Sequence, residues 1–184
     1  MRNIAKINIE ESILRGKLIF EKRLSDRFDQ VIIYYLCAVL ISTPLLALRD
    51  ADFDNPNDLF LYLTLFPFLA IIGAYIIYRK ATEMSLVKIE SPYKRQIKRQ
   101  MLLDYAEERA YQVYRKSNDC LILNQPADAF ESLNTSHMKS LVLIVDDNAV
   151  YFTIIRDLCN VNLPVLITHH LVRRDLKKLF KARS

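Results

Sequence analysis

Three polar clusters are the places in this chain where residue types could do chemistry. They are Asn124-Gln125, Asp146-Asp147-Asn148 and Thr168-His169-His170, and each directly follows a short apolar run. Amides, carboxylates and imidazoles brought together would hold a polar ligand. The third cluster also leads into a segment carrying Arg173, Arg174, Lys177 and Lys178, and a helix start with cations nearby suits an anion. No nucleophile is marked. The chain has 2 glycines, Gly16 and Gly73, whereas phosphate-cradling loops and nucleophile elbows need glycine for close backbone approach. The 3 histidines form no HxH or HExxH pattern, so zinc is not expected. An isolated Asp146-Asp147 pair lacks the further oxygens of a calcium or magnesium site. The expectation is a binding protein without metal or cofactor, not an enzyme.

Apolar periodicity predicts the elements that would position these clusters. Strands are expected at 120–124 (CLILN), 140–146 (SLVLIVD) and 163–168 (LPVLIT), with a weaker one at 84–90. Helices are expected at 92–116, 126–139, 149–160 and 170–183, with His137 solvated in the second. Segment 149–160 is ambiguous: Val150, Ile154 and Leu158 fit a helix face, but VYFTII is rich in strand formers and Asp147-Asn148 could turn a hairpin. Helix is the reading adopted. Strands without polar alternation, separated by helices, imply a small, mainly parallel α/β sheet. In such a sheet ligands bind beyond the carboxyl ends of the strands, which would bring all three clusters to one edge.

Two runs lack charge altogether, 31–48 (18 residues) and 59–78 (20 residues), and all 26 Lys and Arg and 21 Asp and Glu lie outside them. At about 1.5 Å per residue, each reaches across, or nearly across, a hydrocarbon core of about 30 Å. The fold class expected is therefore a membrane α-helical hairpin, 31–78, plus a small cytoplasmic α/β domain, 79–184. The loop 49–58 has one Arg and four Asp, while residues 1–30 and 79–99 carry seven Lys and Arg each. That bias places both termini in the cytoplasm and the loop in a bacterial periplasm. Pro44 and Pro67 should kink the spans, and Ser42, Ala70, Gly73 and Ala74 should permit close helix contact. With no carboxylate or amine inside either run, a proton relay or voltage sensor is not expected, and any pore would be a gated leak.

Residues 1–30 read as an amphipathic helical region, suited either to lying on headgroups or to packing on the C-terminal domain. Lys94, Arg95, Lys98 and Arg99 crowd the start of the 92–116 helix. Cations there oppose the helix dipole, and an anionic inner leaflet would explain them. The three cysteines, Cys37, Cys120 and Cys159, are scattered, which suits a reducing compartment.

The run VLIVDDNAVYFTIIRDLCN resembles the opening of a response-regulator receiver, with its strand, acidic pair and following helix. A receiver needs further strands for a phosphorylatable Asp, a Thr or Ser and a Lys. Only 38 residues follow Asp146, so receiver activity is not implied. The overall plan resembles the small two-span membrane effectors of bacterial antiphage systems linked to retrons, cyclic nucleotides or CRISPR. That resemblance implies a homo-oligomer in contact with inner-membrane lipids, which perforates or depolarises the membrane when a partner protein, nucleotide or RNA engages the cytoplasmic domain. The alternatives are a structural subunit of a conjugation or type IV secretion machine and, third, a membrane-tethered enzyme acting on a nucleotide or lipid.

Overall fold

The computed structural model describes residues 7–21, 24–47, 54–117, 119–125, 138–157 and 164–181. Residues 126–137 of the expected helix 126–139, with His137, the first half of the loop 49–58 and Cys159 lie outside them; the last two residues of that expected helix, Met138 and Lys139, are strand.

A five-stranded sheet forms the centre. Its strands are β1 (Val87–Glu90), β2 (Gln112–Lys116), β3 (Cys120–Asn124), β4 (Met138–Val145) and β5 (Ala149–Asp157), in the order β1-β5-β4-β3-β2. Every neighbouring pair is antiparallel, which corrects the expected parallel sheet. The decisive segment is 149–160. Its described part is not a helix but β5, paired with β4 through the turn Asp146–Asn148, where the Asp146 amide donates to the Ala149 carbonyl at 2.9 Å. A connection this short joins antiparallel strands only, since a parallel crossover needs a dozen or more residues.

The strands lack polar alternation because the antiparallel sheet is covered on both faces. On one face Leu121, Leu123, Leu141, Leu143, Val150, Phe152 and Ile154 pack under α5 (Arg95–Glu108) and α6 (Thr168–Lys181), through Met101, Leu102, Tyr105, Val172, Leu176 and Phe180. On the other, Cys120, Ile122, Val142, Ile144 and Ile155 meet Leu18 and Phe20. Those two residues follow α1 (Ile9–Arg15), which Asn8 caps through its side chain and which ends at left-handed Gly16 (φ 62°). Bridges Ile7–Phe20 and Lys17–Ser85 hold this N-terminal unit in place. It thus forms the second cover of the sheet, packed on the C-terminal domain, which is one of the two expected placements.

Two further expectations change. The helix predicted over 92–116 stops at Glu108; Ala110 takes a positive φ of 54°, and the chain returns as edge strand β2. Within the predicted strand 163–168, residues Pro164, Val165 and Leu166 form no strand, and α6 begins at Thr168.

The expected membrane hairpin is also corrected. Among the described residues, one helical stretch is long and apolar enough to cross a membrane, Leu61–Thr82, with 22 residues, whose most apolar 18-residue window has a mean hydropathy of 2.0. The first apolar run does not form a self-contained span. It belongs to α2 (Leu24–Ala47), whose opening turns carry Asp26, Arg27 and Asp29. The second run breaks into α3 (Pro56–Phe60), a π-helical turn Leu61–Leu65 and α4 (Phe66–Thr82). The wide turn ends two residues before Pro67, and the Phe66 amide reaches back five residues to the Leu61 carbonyl. A ring without an N–H crowds the preceding turn, and a local π-turn relieves it.

Helices α2 and α4 pack antiparallel: Asp29 meets Lys80, and Leu40 and Ile41 meet Gly73. A Cβ on Gly73 would stand 3.1 Å from Ile41 Cγ1, so its absence sets the helix separation. Ile33, Cys37 and Pro44 are buried on the α2 side. Ala70 is half-buried, while Ala74, Pro67 and Ser42 are exposed. Ser42 and Thr43 donate to the Val39 carbonyl at 3.2 and 2.7 Å, which occupies their hydroxyls within the helix.

Candidate functional site at the helix–sheet junction

The apolar stretch Leu61–Thr82 ends in charge, and those charges turn inward. Arg79, Lys80 and Glu83 are 6%, 6% and 4% exposed. Burying an ion costs several kcal/mol unless it is paired, and Lys80 is paired twice. Its Nζ lies 2.7 Å from Asp29 Oδ2 and 3.3 Å from Glu83 Oε2. The Glu83 carbonyl accepts from Thr153 Oγ1 on β5 at 2.8 Å. Leu18 N–H donates to the Met84 carbonyl, and Leu86 N–H to the Gly16 carbonyl. One buried triad and three hydrogen bonds thus fasten the helix pair to the sheet and to the N-terminal unit. Beside the triad opens a cleft of about 440 Å³, whose walls include Lys17, Asp26, Arg27, Gln30, Lys80 and Glu83.

Arg79 lies one residue away and faces α6. Its Nε and Nη2 donate to the Val165 carbonyl at 3.2 and 2.9 Å. Among the described residues no carboxylate pairs with it. His169 is beside it, 8% exposed and stacked on Phe152 with ring centroids 5.5 Å apart. Burial, with Arg79, His170 and Arg173 adding to it, pushes the His169 imidazole down to about 4, so the ring is neutral at pH 7. Its Nδ1 is buried and has no hydrogen-bond partner among the described residues. His170 is exposed, its ring edge-on to His169 at 5.7 Å. Tyr75 Oη donates to the Leu166 carbonyl at 3.3 Å and sits 3.3 Å from His170 Nε2.

The three predicted clusters do not share an edge. In an antiparallel sheet the carboxyl ends of β3 and β4 point opposite ways. Asn124 pairs with Ser140, and its Oδ1 accepts from Ser140 Oγ at 2.9 Å; Gln125 bonds Lys139. The turn Asp146–Asn148 lies at the other end, beyond Val145, whose amide bonds the Asp119 carbonyl. Four residue steps of β3 separate these ends, about 13 Å. Thr168, His169 and His170 sit over the sheet face at Phe152 and join Arg79 and Tyr75 instead. Arg173 and Arg174 are exposed on α6; Arg174 lies 3.8 Å from Asp175, which is also paired with Arg109 at 2.8 Å.

The basic residues expected at the lipid surface hold a turn. Lys98 is fully buried, and its Nζ donates to the carbonyls of Asp146 and Asp147, the latter at 2.8 Å. Burial lowers its pKa. Arg95 Nε donates to the Val145 carbonyl at 3.1 Å and its Nη1 pairs with Asp119 at 3.0 Å. Lys94 is exposed at the α5 N-cap, and Arg99 is half-buried. The β4–β5 turn thus supplies the negative carbonyl ends that the first turns of α5 require.

Sequence reasoning passed over Asp29, Lys80, Glu83 and the inward turn of Arg79. The available signal was a dense charge cluster directly after an apolar run, which reads equally as a membrane-interface anchor. Among the described residues no group of three His, Cys, Asp or Glu could hold a metal ion. Comparison with family models, curated proteins and solved structures found no match.

Proposed function

We propose that this protein is a membrane-anchored effector. Its exposed apolar helix surface enters a lipid bilayer, and its sheet domain receives a cytoplasmic trigger that makes assembled copies perturb that membrane, as in antiphage defence. One observation carries the reading: the most apolar stretch of the chain, within Leu61–Thr82, is only 6% buried inside the protein. Leu63, Phe68 and Ile71 are 70%, 59% and 68% exposed, and Tyr35 and Leu36 on α2 are 68% and 55% exposed. An apolar face this extensive marks a surface that meets a membrane or another protein, and a stretch long enough to span a hydrocarbon core favours the membrane. The junction supports coupling, because the ionic triad and Thr153 tie the end of α4 to β5, and motion of the sheet domain would reach the helix pair through them.

The test is expression in bacterial cells, with and without phage infection, followed by carbonate extraction and a potential-sensitive dye. The protein is expected in the extracted membrane pellet, and triggered cells are expected to lose potential. Release into the carbonate supernatant would remove the anchoring. Stable potential under every condition, with the protein in the pellet, would remove the effector activity and leave a machine subunit as the better reading.

A further inference from the structure

We propose that the contact between α4 and α6 is a phosphate-binding site, formed by Arg79, His169, His170 and Arg173 at the first turn of α6. Three independent observations point to an anion site. Arg79 is 6% exposed, and its guanidinium meets one carbonyl and no carboxylate among the described residues. A buried cation without counter-charge is costly, and an anion removes the cost. His169 is 8% exposed and its Nδ1 has no partner among the described residues, although buried polar atoms are ordinarily hydrogen-bonded. The charged groups that bear on His169, namely Arg79 from α4 and His170 and Arg173 from its own helix, all carry or can carry positive charge.

The backbone adds to this. Helix α6 has 14 residues; its His170 and Leu171 amides bond the Ile167 carbonyl at 3.0 and 3.3 Å, and the positive end of the helix dipole lies at this turn. A tetrahedral phosphate supplies several acceptors to such a cluster: one for an Nδ1–H of His169, others for the guanidinium of Arg173 and the imidazole of His170. Tyr75, already within 3.3 Å of His170 Nε2, borders the site with its hydroxyl. Arg79 lies within the last turn of the apolar stretch Leu61–Thr82, the level at which lipid phosphates would stand if that stretch enters a bilayer. A phosphate group can come from a lipid headgroup or from solution, and both satisfy the same donors.

The experiment uses the full chain in an uncharged detergent, titrated with inorganic phosphate in a calorimeter. It is matched by flotation on phosphatidylcholine vesicles with and without phosphatidic acid. The comparison variant is His169→Phe with Arg173→Ala. Phenylalanine keeps the stack on Phe152 and residue 173 is exposed, so the fold is retained; circular dichroism checks it. A roughly ten-fold or greater loss of affinity, about 1.4 kcal/mol, is expected in the variant. Loss with inorganic phosphate supports the site and a soluble source. Loss only of the phosphatidic acid dependence of flotation supports the site and a lipid source. Absence of binding with both probes, or binding unchanged in a folded variant, overturns it. None of these readouts is membrane depolarisation, so the phosphate site and the effector reading fail separately.

Discussion

The sheet and the helix pair are built from the same apolar side chains and bury them to opposite extents. In β4, Leu141, Val142, Leu143, Ile144 and Val145 are each 1% exposed or less. In α2 and α4, residues of the same kind stand mostly open, as Leu36, Phe68 and Ile71 do. The sheet has three covers, α5, α6 and the N-terminal unit, so the hydrophobic effect is satisfied within the chain. Among the described residues, the helix pair packs along one stripe through Ile33, Cys37, Pro44 and Gly73 and meets the sheet domain at one end through Arg79 and Glu83, and much of the rest of its surface is exposed. The lesson is that hydropathy reports what a segment avoids, while neighbours decide where it goes.

That contrast can be broken most forcefully at the joint between the regions. Lys80→Met should destabilise the protein by about 3–5 kcal/mol, because Asp29 and Glu83 would be left buried without their shared cation. Chemical denaturation checks it, and adding Asp29→Asn and Glu83→Gln should recover much of the loss. Recovery failing entirely would mean the triad is not a unit.

The contrast itself is sharpened by one truncation made on each side. Leu143→Ala should cost about 2–5 kcal/mol, the range for emptying a closed core. Ile71→Ala should change stability in detergent by less than about 1 kcal/mol, since it removes an exposed side chain, but should weaken retention on vesicles. Equal losses at the two sites would refute the difference in burial.

Acid provides a smaller effect confined to the junction. His169 titrates at about 4 in the folded protein, against an ordinary value of about 6.5. The unfolded chain therefore binds its proton first as pH falls. Stability linked to this ring is fully present above about pH 6.5 and is lost on the way down to about pH 4, by on the order of 2–3 kcal/mol. The slope that disappears in His169→Phe, measured by urea titration across that interval, reports it. An identical slope in the variant would place the acid sensitivity elsewhere.

Much of this architecture was legible along the chain. The charge-free blocks, the buried strands 120–124 and 140–146, the amphipathic terminal helix and the absence of phosphate-cradling glycine loops follow from residue type and spacing, which act over one or two turns. Strand direction did not. An uninterrupted apolar run says only that both faces are covered, and an N-terminal unit on the second face does so in an antiparallel sheet as well as crossover helices do in a parallel one. Segment 149–160 illustrates the same limit: Val150 and Ile154 fit a helix stripe, yet Phe152 and Ile155 find cores on opposite faces once β4 lies alongside.

The site divided along the same line. The pairing of His169 and His170 with a basic helix could be read directly, because it is local. The company they keep could not. Arg79 and Lys80 follow an apolar run exactly as interface anchors do, and only the folded chain, which brings Asp29, Thr153 and Val165 to them from distant positions, turns them inward. Lys98 is the same case, a cation drawn into the interior by carbonyls of a turn 48 and 49 residues away. Sequence alone determined which segments are apolar and where charge is concentrated, since these are properties of single residues and their neighbours. Tertiary structure decided which charges are buried and what each apolar face touches, because desolvation and pairing depend on groups that meet only after the chain has folded.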